Sequence, residues 1–313
     1  SLEAKLAKVA DDRGALRRSL DEVAVRWETR AKALETSLTE RVGDLSAKLS
    51  DIAGRDVSLE IVATLRQVRS LWDQRSPANN GTPREFGNEH GHALLMAQLV
   101  DEELRSPGVL RGKTLIEIGS TRERVPHQGS TEKLAIFSEL TGMHFVSVDM
   151  DPINTKRLDP LLDLLNPGAE VVTALGERYL AEREEPFHYI YLDAFDFYHE
   201  HHSAERLERY RQNLNSEISD EACWQMHQSC AASIVTGGMA EGGIVVIDDT
   251  WRDDNNKFTG KGKLAVPLLL ASGFALVAEV PRAVALRRGG GSVASARTAR
   301  RARQILNESV EST

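Results

Sequence analysis

Residues Lys113 to Pro152 read KTLIEIGSTRERVPHQGSTEKLAIFSELTGMHFVSVDMDP, and the fold is decided here. An apolar run, Thr114 to Ile118, ends in Gly119. A loop punctuated by Gly119-Ser120 and Gly129-Ser130-Thr131 follows, then a helix-patterned segment from Thr131 to Leu140. A second apolar run, His144 to Val148, ends in the acid Asp149. Strand, glycine turn, helix, strand, acid is the order of a βαβ unit that holds a nucleotide. Glycine lets the backbone come close to a ligand, a helix start offers free N–H groups, and an acid accepts hydrogen bonds from ribose hydroxyls.

The G-x-G-x-x-G of a dinucleotide site is absent. Glu117-x-Gly119, a glycine-bearing loop and Asp149 closing the second strand resemble the class I S-adenosylmethionine (SAM)-dependent methyltransferases. That family binds a nucleoside carrying a sulfonium cation and no phosphates, so a loop without a dense phosphate cradle suits its ligand. The resemblance implies that Glu117, Gly119, Ser120, Gly129, Ser130, Asp149 and Met150 hold SAM. The stretch Thr121 to Gln128 is longer than the family's compact loop. An Ile-Gly-Ser strand end also suits Rossmann-like folds at large.

Working outward, a helix at Asn154 to Leu165 leads to a strand at Glu170 to Thr173 and a short helix from Gly176. A fourth strand, His188 to Leu192, ends in Asp193; a fifth, Ile244 to Ile247, opens after Gly242-Gly243 and ends in Asp248-Asp249. Helices are expected at Ala204 to Leu214, Asp220 to Val235 and Lys263 to Ala271, a loop at Trp251 to Gly262, and a closing hairpin at Phe274 to Val280 and Ala283 to Arg287. The resemblance therefore spans about residues 84 to 288. It implies a Rossmann-like α/β fold: a seven-stranded class I methyltransferase sheet with helices on both faces. A helix ahead of the first strand commonly covers the cofactor in that family. His90 and His92 with Glu89 are candidates to line the site, and a helix start capped by Asn88 explains them equally well.

In an open α/β sheet, ligands sit at the carboxyl ends of the strands. Asp193, Asp248 and Asp249 stand at two such ends, and like charges packed together are costly unless a cation neutralises them. A hard, oxygen-loving ion such as Mg²⁺ fits three carboxylates. YLD at 191–193 with VIDD at 246–249 is similar to the metal-dependent O-methyltransferases of the macrocin and catechol types. The similarity implies Asp193, Asp248 and Asp249 as ligands of a metal that binds substrate oxygens and lowers a hydroxyl pKa. The catechol type places a Lys three positions after its first ligand. Here that position is Asp196, the first candidate for catalytic base, with His199 the second. A strand-end cap explains one of the acid pair but not all three acids. The imidazoles His199, His201 and His202 lack nearby Cys, which argues against zinc and for a substrate-facing or solvated loop. Trp251, Lys257 and Lys261 are expected to close over the site from the other side.

Residues 2 to 52 carry apolar positions at alternating spacings of four and three, from Leu2 through Trp27 and, in a shifted register, to Ile52. This predicts a coiled coil or a long amphipathic hairpin whose apolar stripe needs a partner surface, and favours a homo-oligomer. The turn-rich run Ser76 to Pro83 marks a boundary. It divides a helical region at 1–76 from a methyltransferase domain at 77–288, with a polar tail at 289–313. The chain has 313 residues, 41% hydrophobic, with net charge −8, which argues against a nucleic-acid field. Its two cysteines, Cys223 and Cys230, cannot bridge within one helix; with no signal-peptide or membrane-spanning pattern, a cytoplasmic location is expected. The resulting expectation is a SAM- and Mg²⁺-dependent O-methyltransferase of a small polyhydroxy substrate, a sugar, glycoside or surface glycan. The alternatives are a noncatalytic SAM-binding scaffold assembled through its coiled coil, or a hydroxylase-like relative.

Overall fold

The computed structural model describes residues 8, 14–15, 17–18, 21–37, 70, 90–122, 129–198, 202–214, 217–289 and 300–306. Two compact units emerge: residues 1–84 with Ala97–Arg111, and Glu85–Met96 with Gly112–Thr313.

In the first unit, the described N-terminal residues are helical, with a continuous α1 at 21–37. Val23, Trp27 and Leu34 on it are buried, at the spacing of one helical face. The rest of the expected coiled coil, at 38–52, and the linker at 76–83 lie outside the described residues. Helix α2, Gly91–Arg105, starts in the second unit and runs into the first. In the first unit, Glu103 Oε1 accepts from Gly108 N at 2.6 Å, closing the turn after α2.

The second unit is built on one mixed sheet. Its strands are β1 (Thr114–Ile118), β2 (His144–Asp149), β3 (Glu170–Thr173), β4 (Phe187–Leu192), β5 (Met239–Ile247), β8 (Phe274–Val280) and β9 (Ala283–Arg288). Their order is β3-β2-β1-β4-β5-β9-β8, with β3 to β5 parallel and β9 antiparallel to both neighbours. β1 is buried at all five positions, as a central strand covered on both faces must be, and Leu115, Ile116 and Ile118 meet that demand while Glu117 is buried among hydrogen-bonding side chains. The crossovers carry α3 (Ser130–Thr141), α4 (Pro152–Leu165), α5 (Gly176–Glu182), α6 (Ala204–Leu214) and α7 (Asp220–Thr236), and α8 (Gly262–Ala271) precedes β8. Ile116, Ile118, Val146, Val148, Leu192, Val245 and Ile247 from the strands join Cys230, Ala231 and Ile234 of α7 and Val266 and Leu269 of α8 in the main core. The order reverses direction at β1: β2 and β3 go one way, β4 and β5 the other. That reversal opens a crevice at the strands' carboxyl ends. This is the Rossmann-like seven-stranded architecture that the sequence implies.

Three local readings change. β5 begins at Met239, so Gly242-Gly243 lie inside it: Phe187 pairs with Met239 but Tyr189 with Ile244, a bulge at which Gly242 takes φ +73°. The expected loop after β5 contains a hairpin, β6 (Thr250–Arg252) and β7 (Phe258–Gly260). Its turn is held by Asp253 Oδ1, which accepts from Asn255 N and Lys257 N, both at 2.9 Å. Finally, the tail is not wholly polar: residues 300–306 form a helix, α9, whose Ala302 is fully buried in the main core with Ile305 and Leu306 packed against it.

Candidate active site

Four strand ends converge on the crevice. Gly119 leaves β1 with φ +94°, and a Cβ there would stand 2.2 Å from the Asp193 carbonyl oxygen. Only glycine permits that passage beneath the end of β4. Ser120 N donates to Asp149 Oδ2 at 3.1 Å, tying the glycine loop to the end of β2. Asp149 also accepts from Asp151 N at 2.8 Å, Asn154 Nδ2 at 3.0 Å and Arg122 Nε at 3.4 Å. Beside it lies an apolar cavity lined by Ile118, Val148, Met150, Phe195 and Met226 together with Gly119 and Asp149. Apolar walls and a carboxylate thus stand side by side at the end of β2.

Glu117 has a different place from the one its motif implies. It is fully buried behind the loop, where Ser130 Oγ donates to Oε1 and Ser147 Oγ to Oε2, both at 2.7 Å. It fastens the start of α3 to β2 and does not line either cavity. Burial pushes its carboxyl up to about 8 from an ordinary 4.5, against the pull of the two serines. The folded chain thus keeps a proton that the unfolded chain releases between those values. Stability from this group is full at acid pH and falls as pH rises through about 8. Glu117→Gln is expected to flatten that fall, narrowing the difference between melting temperatures at pH 5.5 and 8.5. Identical pH profiles for the two proteins would refute the assignment.

The second cavity adjoins the first through Gly119, Arg122 and Ala194. Its walls include Ser120, Ser130, His90, His92, Asp193, Asp196, Asp248, Asp249, Lys261 and Arg282. Asp193, Asp248 and Asp249 each offer an oxygen, and these lie within 4.8 Å of one another. An all-oxygen, all-carboxylate set suits a hard divalent cation. From the sequence, a bound ion is the expected neutraliser; in the structure, side chains perform that role. The Lys261 ammonium, 2% exposed, pairs with Asp193 and reaches Asp249 Oδ2 at 3.3 Å; the Arg282 guanidinium pairs with Asp249. Asp248 Oδ1 accepts from Gly91 N at 2.7 Å, and its Oδ2 accepts from Tyr191 OH at 2.8 Å with His90 Nδ1 at 3.5 Å. Burial opposes ionisation of Asp248, but the His90 hydrogen bond and the Lys261 charge outweigh it and hold the carboxyl well below its ordinary range. Asp249 adopts φ +43°, an uncommon conformation for a residue with a side chain but one that Asp tolerates. Gly260 across the hairpin makes room for it: a Cβ there would stand 2.0 Å from the Asp249 carbonyl oxygen.

Asp196 lines the same cavity. It accepts from Tyr210 OH at 3.0 Å and pairs with Arg206 at 2.8 Å. Burial would raise its pKa, yet Lys261, Arg206 and Arg122 outweigh burial and lower it, so the carboxylate is a weak base as it stands. His199 and His201 lie outside the described residues; His202 faces Phe197 O at 3.0 Å. Gly129 precedes α3, and neither cavity is lined by it. Trp251 packs on Phe197, ring centroids 5.8 Å apart, instead of lining the cavities. Sequence reasoning missed Tyr191, Arg122, Arg206 and Arg282, and underweighted Lys261, whose flanking Gly260 and Gly262 were an available signal.

No protein-family model and no curated protein matches the chain. Among solved structures, it is similar to NSun6 from Pyrococcus horikoshii at 13% identity and TM-score 0.40, over 56% of this chain and 48% of that one. It is similar to the CurJ carbon methyltransferase at 12% and 0.39, over 83% and 71%, and to TrmN from Thermus thermophilus at 14% and 0.35, over 63% and 51%. Among the described residues, no helix is long and apolar enough to cross a membrane.

Proposed function

We propose that the chain is a SAM-dependent O-methyltransferase that methylates a hydroxyl of a small polyhydroxy substrate, a sugar, glycoside or glycan, with a divalent cation such as Mg²⁺ at Asp193, Asp248 and Asp249. The observation that carries this reading is the meeting of those three carboxylates, within 4.8 Å, on the wall of a cavity that also exposes Gly119 and Ser120. The apolar walls beside Asp149 are the proposed place for the adenosine, which would widen the small cavity found there. Asp149 would accept from the ribose hydroxyls in the position now taken by Arg122, its longest contact at 3.4 Å. Bound there, SAM would supply the methyl group, and the ion would polarise the acceptor hydroxyl and lower its pKa.

The protein's own groups do the rest. Tyr191 and His90 orient Asp248, and Lys261 and Arg282 hold Asp193 and Asp249 in register by charge. Release of these oxygens to an ion requires Lys261 to swing away from Asp193. Asp196, kept ionised by Arg206 and Tyr210, takes a proton only from a hydroxyl already made acidic. The carboxylates, imidazoles and guanidinia of the wall match the many donors and acceptors of a polyhydroxy substrate.

The test is methyl transfer from labelled SAM to a panel of sugars and phenols, with and without EDTA. Transfer to a polyhydroxy acceptor that drops roughly tenfold or more in chelator and returns with Mg²⁺ is expected. Full-rate transfer in chelator removes the metal, and calorimetry showing no affinity for S-adenosylhomocysteine removes the cofactor.

A further inference from the structure

His92 lines the cavity yet has no role in the site described above. It is 2% exposed, in the first turn of α2. One ring nitrogen, Nε2, lies 3.2 Å from Lys133 Nζ. An ammonium only donates, so this nitrogen must be the bare acceptor of a neutral imidazole, and the other must carry the proton. That other nitrogen, Nδ1, is buried and has no hydrogen-bond partner among the described residues. A buried N–H left unsatisfied is costly, and such groups in native proteins usually await a ligand or water. Protonation cannot relieve it: burial first, then the Lys133 charge, push the ring down to about 3. The ring is also fixed in place, stacked on His90 at 5.9 Å and edge-on to Tyr191 at 6.1 Å.

The surroundings select the charge of the missing partner. Lys133 stands in the first turn of α3, whose preceding Gly129 provides no side-chain cap. The helix start already faces the Glu132 carboxylate, but the buried Lys133 ammonium beside the ring favours an anion. In SAM the single anionic group is the α-carboxylate of its amino-acid portion; the ammonium and sulfonium are cations. We propose that His92, held by Lys133 in the tautomer that protonates Nδ1, donates that N–H to the carboxylate of the bound cofactor and so discriminates for the intact amino-acid end. This rests on the SAM reading above and adds a ligand-recognising residue to it.

Titration calorimetry with two probes tests it: S-adenosylhomocysteine, which carries the carboxylate, and 5′-methylthioadenosine, which lacks the whole amino-acid portion. His92→Phe keeps a ring in the same space but removes the donor. It is expected to weaken S-adenosylhomocysteine about 10–100-fold, the range for a charge-assisted hydrogen bond, and to leave methylthioadenosine unchanged. His92→Gln, which restores an N–H, should recover part of the loss. Equal weakening of both probes, or of neither, overturns the proposal while the cofactor reading stands. If the wild-type chain binds neither probe, both fall together. Should His92→Phe fail to fold, Lys133→Met decides: a selective loss for S-adenosylhomocysteine supports the tautomer argument, and no selective loss overturns it.

Discussion

With Asp248 as a ligand of the proposed ion, Asp248→Asn is expected to cost at least about 100-fold in methyl transfer, because even the groups that merely orient metal ligands are worth about 10–100-fold. The substitution is close to isosteric, and its polar groups find partners. The amide oxygen can accept from Gly91 N, which now donates to Oδ1 at 2.7 Å. The amide nitrogen then faces Tyr191 OH, whose proton can turn to Asp193 Oδ2, already 3.2 Å away. Only the negative charge is removed. With it goes the partner that raises the His90 pKa through a hydrogen bond, so that ring should return toward its ordinary range. The cavity beside Asp149, where the adenosine is proposed to lie, is not lined by Asp248, so affinity for 5′-methylthioadenosine should persist. Labelled-methyl transfer and calorimetry on the same preparation measure both quantities. Wild-type turnover in this variant would sink the catalytic role of the cluster; joint loss of turnover and cofactor binding would make Asp248 a structural residue.

The parts of this site that the sequence discloses share one property: each follows an apolar run. Gly119, Asp193 and Asp248 directly follow, and Asp149 closes, strands that are buried and largely apolar, which marks them as central and parallel. Topology then gathers them without any contact having to be foreseen. The cations obey no such rule. Lys261 precedes α8, Arg282 sits in the β8–β9 turn and Arg206 is in α6; they meet the acids through tertiary packing alone. The β6–β7 hairpin escaped because three-residue strands are too short to show alternation, although Asp253 to Asn256 is a run of turn-forming residues. Gly242-Gly243 misled for the opposite reason. Paired glycines ordinarily punctuate, yet here Gly243 lies so close to β4 that a Cβ would stand 2.5 Å from the His188 carbonyl oxygen. Glu117 illustrates a further limit: a motif fixes where a residue stands on its strand, but which way the carboxylate finds hydrogen bonds depends on Ser130 and Ser147.

Gly119→Ala should be severely damaging, and Gly112→Ala shows why. Both glycines have positive φ, +94° and +73°, so both alanines carry the backbone penalty of about 1–2 kcal/mol. At Gly112 a Cβ would meet nothing within 4 Å. At Gly119 it would stand 2.2 Å from the Asp193 carbonyl oxygen and 2.6 Å from Ala194 Cα. Those neighbours are backbone at the end of β4, pinned by Asp193 N donating to Ile118 O at 2.9 Å and Asp248 N to Leu192 O at 3.1 Å. They cannot rotate aside as a flexible side chain would. Relief requires the end of β4 to move, adding overpacking of about 1–3 kcal/mol. The two terms sum to about 2–5 kcal/mol for Gly119→Ala, against about 1–2 for Gly112→Ala. In a unit of this size each kcal/mol lowers the melting temperature by about 2–4 °C, so calorimetry resolves the difference. The movement that relieves the clash also displaces Asp193 from Asp248 and Asp249 and narrows the crevice where the cofactor would lie. Gly119→Ala should therefore lose S-adenosylhomocysteine binding at temperatures where it is still folded, and Gly112→Ala should keep it. Equal melting temperatures for the two variants, with binding retained in both, would show that the crevice floor yields and that Gly119 is not its fixed point.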